Sequence, residues 1–548
     1  MKRVLLSITI LLVLSPWTAF GQRVRLAHTG KTGLNVTSLE QVLRLSDDQI
    51  DLATATLIAS EYWSKVVAGR QYIEQLDAMA TEILVRLRQQ RIPTDVRAIP
   101  IINQYLFEEL GFKPVAHADD PNDLFLHSVL DRRQGYCLSL SVLYLAVAER
   151  VGLSLHGVVV PGHFFVRYDN GRTRCNIETT SGGANPPDDY YRTKFNVPEN
   201  SRDTIYMKNL NKRQSLGCFF NNLGNVYSEI GDVDTAMLAL ERAVTINPTL
   251  SESRSNLGNM YLQKNRVGDA IQQYRSALSL NPGDSKTYYN LGNAYMASEE
   301  FNAAASSYRQ ALMLDPNCID AYRKIAVLLC KQERYSQALA QLNVALALNR
   351  DNPDVHGQLG DVYYRMQDYG NGLASFRRAV DLKPDWAEAH YGLGICHGAL
   401  NQTADEIRSY QQALALNPTL LGALVDLGGA YFNQENYDLA VQYYRQAVTA
   451  SPEDARILYN LGSAYLKKDQ YDLAVKAYLH VVRIDPKTPD AHQGLAYGFY
   501  MLGKYPEALR HANTAKRLGA QVPEDLVRAI ESRLALPSRG SEEVPPVS

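Results

Sequence analysis

Residues 223–248 carry the sequence LGNVYSEIGDVDTAMLALERAVTINP, and this spacing of large, small and turn residues returns every 34 residues. The leading Leu-Gly pair recurs at 257–258, 291–292, 359–360, 393–394, 427–428 and 461–462, and relaxes to Ile325-Ala326 and Leu495-Ala496 in two further units. Alanine follows the leading leucine by thirteen and by twenty positions in most units, and a proline closes most of them. Nine such units fit between residues 217 and 522 without an insertion.

The small residues mark positions where two helices approach closely, and the proline marks the turn before the next helix. Because one helix pair cannot bury its apolar face alone, neighbouring units must stack into a solenoid with a concave groove. The pattern resembles the tetratricopeptide repeat (TPR), which implies an all-α right-handed TPR solenoid. A capping helix is predicted at 523–536, and the Pro-, Ser- and Glu-rich tail at 537–548 is predicted to be disordered.

The charge balance of the chain limits its partners and cofactors. With 56 basic and 58 acidic residues the net charge is −2, and no long basic run occurs, so no nucleic-acid partner is predicted. The 46% hydrophobic and 21% charged fractions are those of globular protein. The sequence has no H-E-x-x-H, Walker A or G-x-G-x-x-G motif and no C-x-x-C pair among its six cysteines, so no metal or cofactor is predicted.

The first 21 residues have the organisation of a secretory signal. Met1-Lys2-Arg3 precedes an apolar run at 4–14, and small residues stand at Ala19 and Gly21. The run is shorter than the roughly 20 residues needed to span a bilayer, so we expect cleavage near Gln22 and no membrane span afterwards. An uncleaved N-terminal anchor is the alternative. In both cases the globular part is predicted to be exported.

Three asparagines are candidate ligand-binding residues of the groove. Asn225, Asn259 and Asn293 each follow the leading leucine by two positions in three successive units. In TPR-like repeats this position belongs to the inner face, and an amide offers both donors and an acceptor to an extended peptide. Leu-Gly-Asn is also common in this repeat as ordinary helix surface, so both interpretations stay open. A protein or peptide is the predicted partner.

A different pattern lies ahead of the repeats. Gly135-Tyr136-Cys137 opens a largely apolar run that ends at Gly152, which predicts a buried helix starting near Cys137. At a helix N-terminus the macrodipole favours a thiolate, and the free N–H groups can stabilise an oxyanion. This setting suits a nucleophile, although a buried structural cysteine fits the same pattern.

A predicted β-hairpin supplies partners for that thiol. Asn170-Gly171 separates two strand-like segments and predicts a two-residue type I′ turn. Such a turn places His163 opposite Glu178, so imidazole and carboxylate share one face. By the same register Cys175 lies opposite Val166 on the other face. A Cys137–Cys175 disulfide is therefore disfavoured, so the Cys137 thiol can stay free even in an oxidising compartment.

The order of cysteine at a helix start, histidine on a strand and an acid on the next strand resembles the transglutaminase-like cysteine superfamily, within the wider papain-like folds. The resemblance rests on segments 119–121, 130–135, 138–141 and 161–164 and extends over residues 37–191. It implies an α+β transglutaminase-like domain in which Cys137 is the nucleophile, His163 the general base and acid, and Glu178 the orienting residue. Gln134 is a candidate oxyanion donor. Glutamate replaces the usual aspartate, and the segment 179–183 departs from the family pattern.

The predicted organisation is a signal peptide (1–21), a transglutaminase-like domain (38–197), a connector (198–216), nine repeats (217–522), a capping helix and a tail. One functional hypothesis is an exported enzyme that carries out cysteine-dependent acyl transfer or peptide or amide hydrolysis on substrates presented by the groove. The alternative is a non-catalytic interaction scaffold in the cell envelope whose domain has lost turnover. Resemblance to bacterial proteins favours a periplasmic or secreted location.

Overall fold

A computed structural model describes residues 36–64, 69–115, 120–197 and 204–535 of the chain. The chain divides into two compact units, residues 1–316 and 317–548. The predicted signal peptide, its cleavage site and the tail at 537–548 lie outside the described residues. Over the described ranges, no helix combines the length and the apolar character needed to cross a bilayer.

The first unit contains thirteen α-helices and five strands within its described part. The helices are α1 (Leu39–Val42), α2 (Leu52–Ser64), α3 (Gly69–Gln89), α4 (Ile99–Asn103), α5 (Leu126–Arg132), α6 (Cys137–Val151), α7 (Asp188–Lys194), α8 (Lys212–Glu229), α9 (Val233–Ile246), α10 (Ser251–Gln263), α11 (Val267–Leu280), α12 (Ser285–Ala297) and α13 (Phe301–Leu314). The strands are β1 (Lys113–Pro114), β2 (Gln134–Gly135), β3 (His156–Val160), β4 (His163–Asp169) and β5 (Arg174–Ile177).

The second unit is helical throughout its described part. Its helices are α14 (Ile319–Lys331), α15 (Tyr335–Leu348), α16 (Pro353–Arg365), α17 (Tyr369–Leu382), α18 (Ala387–Ala399), α19 (Thr403–Leu416), α20 (Leu421–Asn433), α21 (Tyr437–Ala450), α22 (Ala455–Lys467), α23 (Tyr471–Ile484), α24 (Pro489–Met501), α25 (Tyr505–Arg517) and α26 (Glu524–Ala535). The helix predicted at 523–536 is α26, whose buried Val527 and Ile530 join the core of the last repeats.

Helix α6 is the centre of the transglutaminase-like region. Every residue from Cys137 to Ala148 is buried, which explains the continuous apolar run in the sequence. The helix ends at Gly152, whose φ of 87° supplies the left-handed C-cap that glycine adopts at little cost. Strands β3, β4 and β5 form an antiparallel sheet in that order, and α6 packs against β4.

The predicted register of the β4–β5 hairpin is wrong by two residues. Tyr168 lies opposite Cys175, so His163 and Glu178 are not directly paired. The reason is the Asn170 side chain, whose Oδ1 accepts hydrogen bonds from the backbone N–H groups of Arg172 (3.0 Å) and Thr173 (2.8 Å). Asparagine thus precedes the turn as an Asx residue instead of occupying its centre. A shift of two residues preserves side-chain faces, whereas a shift of one would have reversed them.

The segment before the repeats continues the sheet. Met207 N–H donates to Val159 O (3.0 Å) and Leu210 N–H donates to Gly157 O (2.8 Å), so residues 207–210 cover the free edge of β3. Helix α8 then begins at Lys212, five residues before the predicted first repeat. Most of the buried apolar residues of α8 and α9 belong to the same hydrophobic core as the transglutaminase-like region. The first repeat is therefore packed into that region as part of one folded body.

The repeats are helix hairpins whose packing is set by residues at fixed spacing. Gly258 and Gly292 lie directly beneath the rings of Tyr274 and Tyr308, leaving no space for a Cβ atom. The hydroxyl of Tyr274 donates to Asn259 Oδ1 (2.7 Å), and in the next repeat that of Tyr308 donates to Asn293 Oδ1 (2.8 Å). The Leu-Gly-Asn pattern is thus explained in part by helix packing: glycine admits the ring and asparagine accepts its hydroxyl hydrogen bond.

Candidate active site

Cys137 is the first residue of α6 and is 5% exposed. The start of the helix is held by Ser139, whose Oγ accepts from the Tyr136 backbone N–H (2.9 Å) and donates to the Asp123 carbonyl oxygen (2.5 Å). The macrodipole and the unpaired N–H groups of this helix end favour negative charge at the first turn. The structure therefore places Cys137 where the sequence predicted it, at the N-terminus of a buried helix.

His163 joins the thiol to a carboxylate. It is the first residue of β4, and its Nε2 lies 2.8 Å from Glu178 Oε2, with the two side chains 11% and 5% exposed. The thiol of Cys137 lies close enough to the ring to raise the pKa of His163. Because Nε2 contacts Glu178, Nδ1 is the nitrogen left for Cys137. The structure thus brings all three predicted catalytic residues together.

The surroundings favour a protonated His163. Burial alone would lower the pKa of His163, but the nearby Cys137 thiol and the hydrogen-bonded Glu178 carboxylate outweigh burial and raise the pKa to about 9. This shift is the one expected for an imidazolium held between a thiolate and a carboxylate.

Glu178 is fixed by its own neighbours. It precedes a short 3₁₀ helix, Thr179–Ser181, and its Oε1 accepts hydrogen bonds from the backbone N–H (3.1 Å) and Oγ1 (2.5 Å) of Thr180. Burial would raise the pKa of Glu178, but the hydrogen bond and charge of His163, with the bonds from Thr180, lower it on balance. The carboxylate is therefore both oriented and kept ionised, as an orienting residue requires.

An aromatic residue that the sequence analysis did not identify completes the surroundings of the imidazole. The ring of Phe195, directly after α7, stacks on His163 with the centroids 4.5 Å apart and the planes 3° from parallel. Tyr191 lies on the same side at 6.4 Å. No spacing rule connects residue 195 with residue 163, so no sequence signal could have revealed this contact. The stacking restrains ring rotation and leaves only the two nitrogens for polar contacts.

The predictions for the Cys137–Cys175 pair and for Gln134 have different outcomes. Cys137 and Cys175 are both free, and Cys175 lies opposite Tyr168 on the face of the hairpin away from His163, which confirms the prediction that they do not form a disulfide. Gln134 lies in β2 and pairs with Lys113. Across the described part of the chain, no hydrogen bond links the Gln134 side chain to the three site residues, so its role as an oxyanion donor stays a prediction.

A groove of about 970 Å³ opens beside His163, and all of its lining residues belong to the first unit. His163 and Phe195 lie on its wall, together with Asn225 and Asn259 among the predicted asparagines. Asn293 and Cys137 do not line it. Asn259 Oδ1 accepts hydrogen bonds from Tyr274 and from Asn290 Nδ2 (3.0 Å), so its amide oxygen is already engaged within the protein. The three asparagines therefore do not form an equivalent set of free ligand contacts.

The family comparisons agree with this architecture. Residues 70–189 match the family model described as the transglutaminase-like superfamily. Models of the tetratricopeptide repeat match residues 219–250, 258–298, 295–360, 358–420, 425–489 and 464–523. The chain thus combines a transglutaminase-like domain with a TPR solenoid, as the two sequence patterns predicted.

Individual relatives cover parts of the chain. A UPF0162 protein of Xylella fastidiosa (strain 9a5c) is 27% identical over 217 residues, which are 37% of this chain and 73% of that protein. A UPF0162 protein of Pseudomonas aeruginosa is 25% identical over 180 residues, covering 32% of this chain and 64% of that protein. The F-box only protein 21 of Mus musculus is 39% identical over 84 residues, or 15% of this chain and 13% of that protein.

Solved structures resemble the helical part at low similarity. The pilF protein of Pseudomonas aeruginosa is 18% identical and covers 38% of this chain and 96% of its own, with a TM-score of 0.35. YrrB, described as a TPR protein with an unusual peptide-binding site, is 23% identical and covers 34% of this chain and 96% of its own, with a TM-score of 0.29. At these TM-scores neither likeness carries an inference about function.

Proposed function

We propose that this protein is an exported enzyme that carries out cysteine-dependent acyl transfer or amide hydrolysis on protein or peptide substrates held by the groove of its repeats. The observation that carries the proposal is that one partly buried imidazole is hydrogen-bonded to an oriented carboxylate and is close enough to a thiol at a helix N-terminus for that thiol to raise the pKa of the imidazole. A nucleophile, a base within hydrogen-bond reach and a group that orients the base are the parts that nucleophilic catalysis requires.

The reaction proceeds in two steps. The Cys137 thiolate attacks the carbonyl carbon of an amide to form a tetrahedral adduct, whose collapse breaks the C–N bond as the His163 imidazolium protonates the leaving nitrogen. The products are a thioester on Cys137 and a free amine or ammonia. Water or a second amine then attacks the thioester and gives its proton to His163, which restores the thiolate and the imidazolium. Glu178 stabilises the imidazolium throughout.

The groove supports a polypeptide substrate. Its volume of about 970 Å³ is at the upper end of the roughly 300–1,000 Å³ typical of small-molecule sites. Its wall includes His163 as well as residues of the first repeats, so a segment bound to the repeats lies beside the imidazole. Asn225 offers its amide group, and Asn259 its amide N–H groups, to the main chain of that segment.

One observation favours the alternative, a scaffold that binds proteins in the cell envelope without turnover. Cys137 is only 5% exposed and does not line the groove that His163 reaches. A substrate carbonyl must therefore gain access to the sulfur by local opening of the site. If the site never opens, the repeats bind a partner and the domain serves only as a folded module.

Thiol reactivity separates the two functions. Full-length protein is treated near pH 7 with a small amide-mimicking electrophile, and modification of each cysteine is measured by peptide mass spectrometry. If the protein is an enzyme, we expect selective modification of Cys137 and loss of that signal in Cys137→Ser. We also expect slow modification of Cys175, because burial raises the pKa of its thiol. Unreactive Cys137 in the native protein would establish the scaffold. Incorporation of a fluorescent primary amine, set against ammonia release without it, distinguishes acyl transfer from hydrolysis.

Export is proposed from the basic and apolar segment at residues 1–21. Expression of the full chain in a Gram-negative host, followed by fractionation and N-terminal sequencing, tests it. A mature protein that begins near Gln22 in the periplasmic or secreted fraction is expected. A product that keeps Met1 and remains in the cytoplasm contradicts export without affecting the proposal for the active site.

A further inference from the structure

A carboxylate from the second repeat lies against the turn that carries His163. Glu252, in the first turn of α10, accepts a hydrogen bond at Oε1 from the hydroxyl of Tyr206 (2.9 Å). The backbone of Gly162, the residue directly before His163, lies close enough to Glu252 to lower the pKa of that carboxyl. Glu252, Tyr206, Gly162 and His163 all line the groove described above. Glu252 therefore connects the second repeat to the wall of the candidate site through its hydrogen bond with Tyr206 and its closeness to Gly162.

Both contacts fall on the β3–β4 corner. Gly162 has a φ of 70°, a left-handed conformation, and the turn it forms with Pro161 sets the direction in which β4 begins. Tyr206 is 4% exposed and directly precedes Met207, which pairs with Val159 of β3. Glu252 thus holds the strand-like segment beside β3 through Tyr206, and it lies beside the turn that leads into β4.

The surroundings of Glu252 differ from those of a glutamate at the equivalent position of another repeat. Glu388 occupies the equivalent place four repeats later, in the first turn of α18, and is exposed. Burial is the main reason that the pKa of Glu252 is raised to about 7; the hydrogen bond from Tyr206 and the nearby backbone of Gly162 oppose this rise, and the charge of Asp284 adds to it. A partly buried carboxylate costs stability unless polar contacts offset its desolvation. Here those contacts are with the corner that precedes His163.

We propose that Glu252 is a positioning residue, through which the second repeat fixes the turn before His163 and so aligns the imidazole with Cys137. This inference rests on the proposed function. It also makes the active site incomplete without the second repeat. A transglutaminase-like domain ending at residue 197 would have its three site residues but would lack the carboxylate that holds the β3–β4 corner.

The test uses the full-length protein with Glu252→Ala, Glu252→Gln, Tyr206→Phe and, as matched control, Glu388→Ala. The rate of Cys137 alkylation is measured from pH 5 to 9, and the titration of His163 is followed by NMR of its ring. Glu252→Ala is expected to slow alkylation about tenfold and to shift the pH profile, since loss of alignment weakens the thiol–imidazole contact. Glu252→Gln keeps an acceptor oxygen and is expected to restore most of the rate. Tyr206→Phe gives a smaller effect in the same direction, and Glu388→Ala gives none.

The outcomes separate this inference from the proposed function. If Glu252→Ala is folded but keeps both the native alkylation profile and the native His163 titration, the positioning role is overturned. If Glu252→Ala does not fold, Tyr206→Phe decides by the same two measurements. If Cys137 of the native protein does not react at all, the proposed enzymatic function is overturned. The positioning role is then judged on the His163 titration alone. An unchanged pKa of His163 in both Glu252→Ala and Tyr206→Phe overturns the positioning role.

Discussion

The transglutaminase-like region and the repeats use polar side chains in different ways. Around the sheet, Arg167 is 1% exposed and bonds to Asn176 Oδ1, Asp188 Oδ1 and Met207 O, residues that lie 9 to 40 positions away in sequence. In the repeats, the hydroxyls of Tyr274, Tyr308 and Tyr478 bond to residues 15 positions before them, a contact that recurs in several units. Interactions that occur once and join distant segments surround the candidate active site, whereas interactions that repeat build the helix hairpins.

Removing Arg167 should produce the largest loss of stability. Arg167→Met leaves Asp188 and Asn176 without the buried guanidinium, and removal of one partner of a buried pair costs about 3–5 kcal/mol. Arg378→Met is the matched change in the repeats: Arg378 pairs with Asp351, and the side chains are 47% and 67% exposed. Such an exposed pair contributes at most about 1 kcal/mol. Urea unfolding measures both, and equal losses would contradict the distinction between the regions.

Some features of the repeats and of the candidate active site could be predicted from the sequence, and others could not. The 34-residue period predicted the helix hairpins because each contact is local and repeated. The hairpin placed His163 and Glu178 on one face despite the wrong register, since a shift of two residues keeps that face. Phe195 and Glu252 could not be predicted, because their contacts with His163 and Gly162 depend on how separate elements pack. The groove role of Asn293 was inferred from the repeat, but its oxygen accepts from Tyr308 instead.

The stability of each region is expected to depend on pH through one histidine, His511 in the repeats and His163 at the candidate active site. Burial, then the charge of His492, lowers the pKa of His511 from 6.5 to about 4, and His511 Nε2 is buried without a partner. Protonation of His511 is thus resisted in the folded state, and the stability this provides is present above pH 6.5 and lost as the pH falls towards 4. The loss is about 3 kcal/mol at most. The opposite holds for His163: its raised pKa gives stability that is complete below pH 6.5 and lost as the pH rises through about 9.

Hydrogen exchange followed by mass spectrometry tests the effect expected for His511. At pH 4.5 compared with pH 7, peptides of α24 and α25 are expected to lose protection once the exchange rates are corrected for pH. His511→Leu removes the titrating group and should flatten this dependence. Nearby Arg510 and Glu507 stay unchanged as internal references for charge. The same acid-induced loss of protection in His511→Leu would show that another group is responsible.

Substitution of a glycine that lies beneath a tyrosine ring tests the local packing of the repeats. A Cβ atom at Gly258 would lie 2.6 Å from the ring of Tyr274, which is fully buried. Gly258→Ala should therefore cost about 1–3 kcal/mol through overpacking. Gly429→Ala is the control, since its nearest neighbour is the Tyr444 hydroxyl at 3.6 Å, and this helix position should gain up to about 1 kcal/mol from alanine. Thermal unfolding measures both, and a stabilised Gly258→Ala would refute the packing argument.

The smallest expected effect lies in the turns between paired helices. Glycine is the residue expected in a left-handed turn, but most of these turns have another residue there. A residue with φ between 56° and 84° stands at 231, 265, 299, 333, 367, 401, 435 and 469, and Gly503 continues the series at 72°, but only the first and last are glycine. Glu435 is exposed and has a φ of 59°. Because glycine adopts this conformation freely, Glu435→Gly should stabilise the protein by about 0.5–1 kcal/mol after the entropy of the unfolded glycine is subtracted.

Glu435→Ala separates the backbone from the charge, because it removes the carboxylate but keeps a Cβ atom. The glycine variant should then exceed the alanine variant by about 1 kcal/mol in urea unfolding, with the native protein close to alanine. Equal stability of the two variants would mean that the left-handed turn imposes no strain. At the β3–β4 corner the left-handed turn residue, Gly162, is already glycine. Strain is therefore absent at the turn that directly precedes His163, whereas it is tolerated at exposed repeat turns such as that of Glu435.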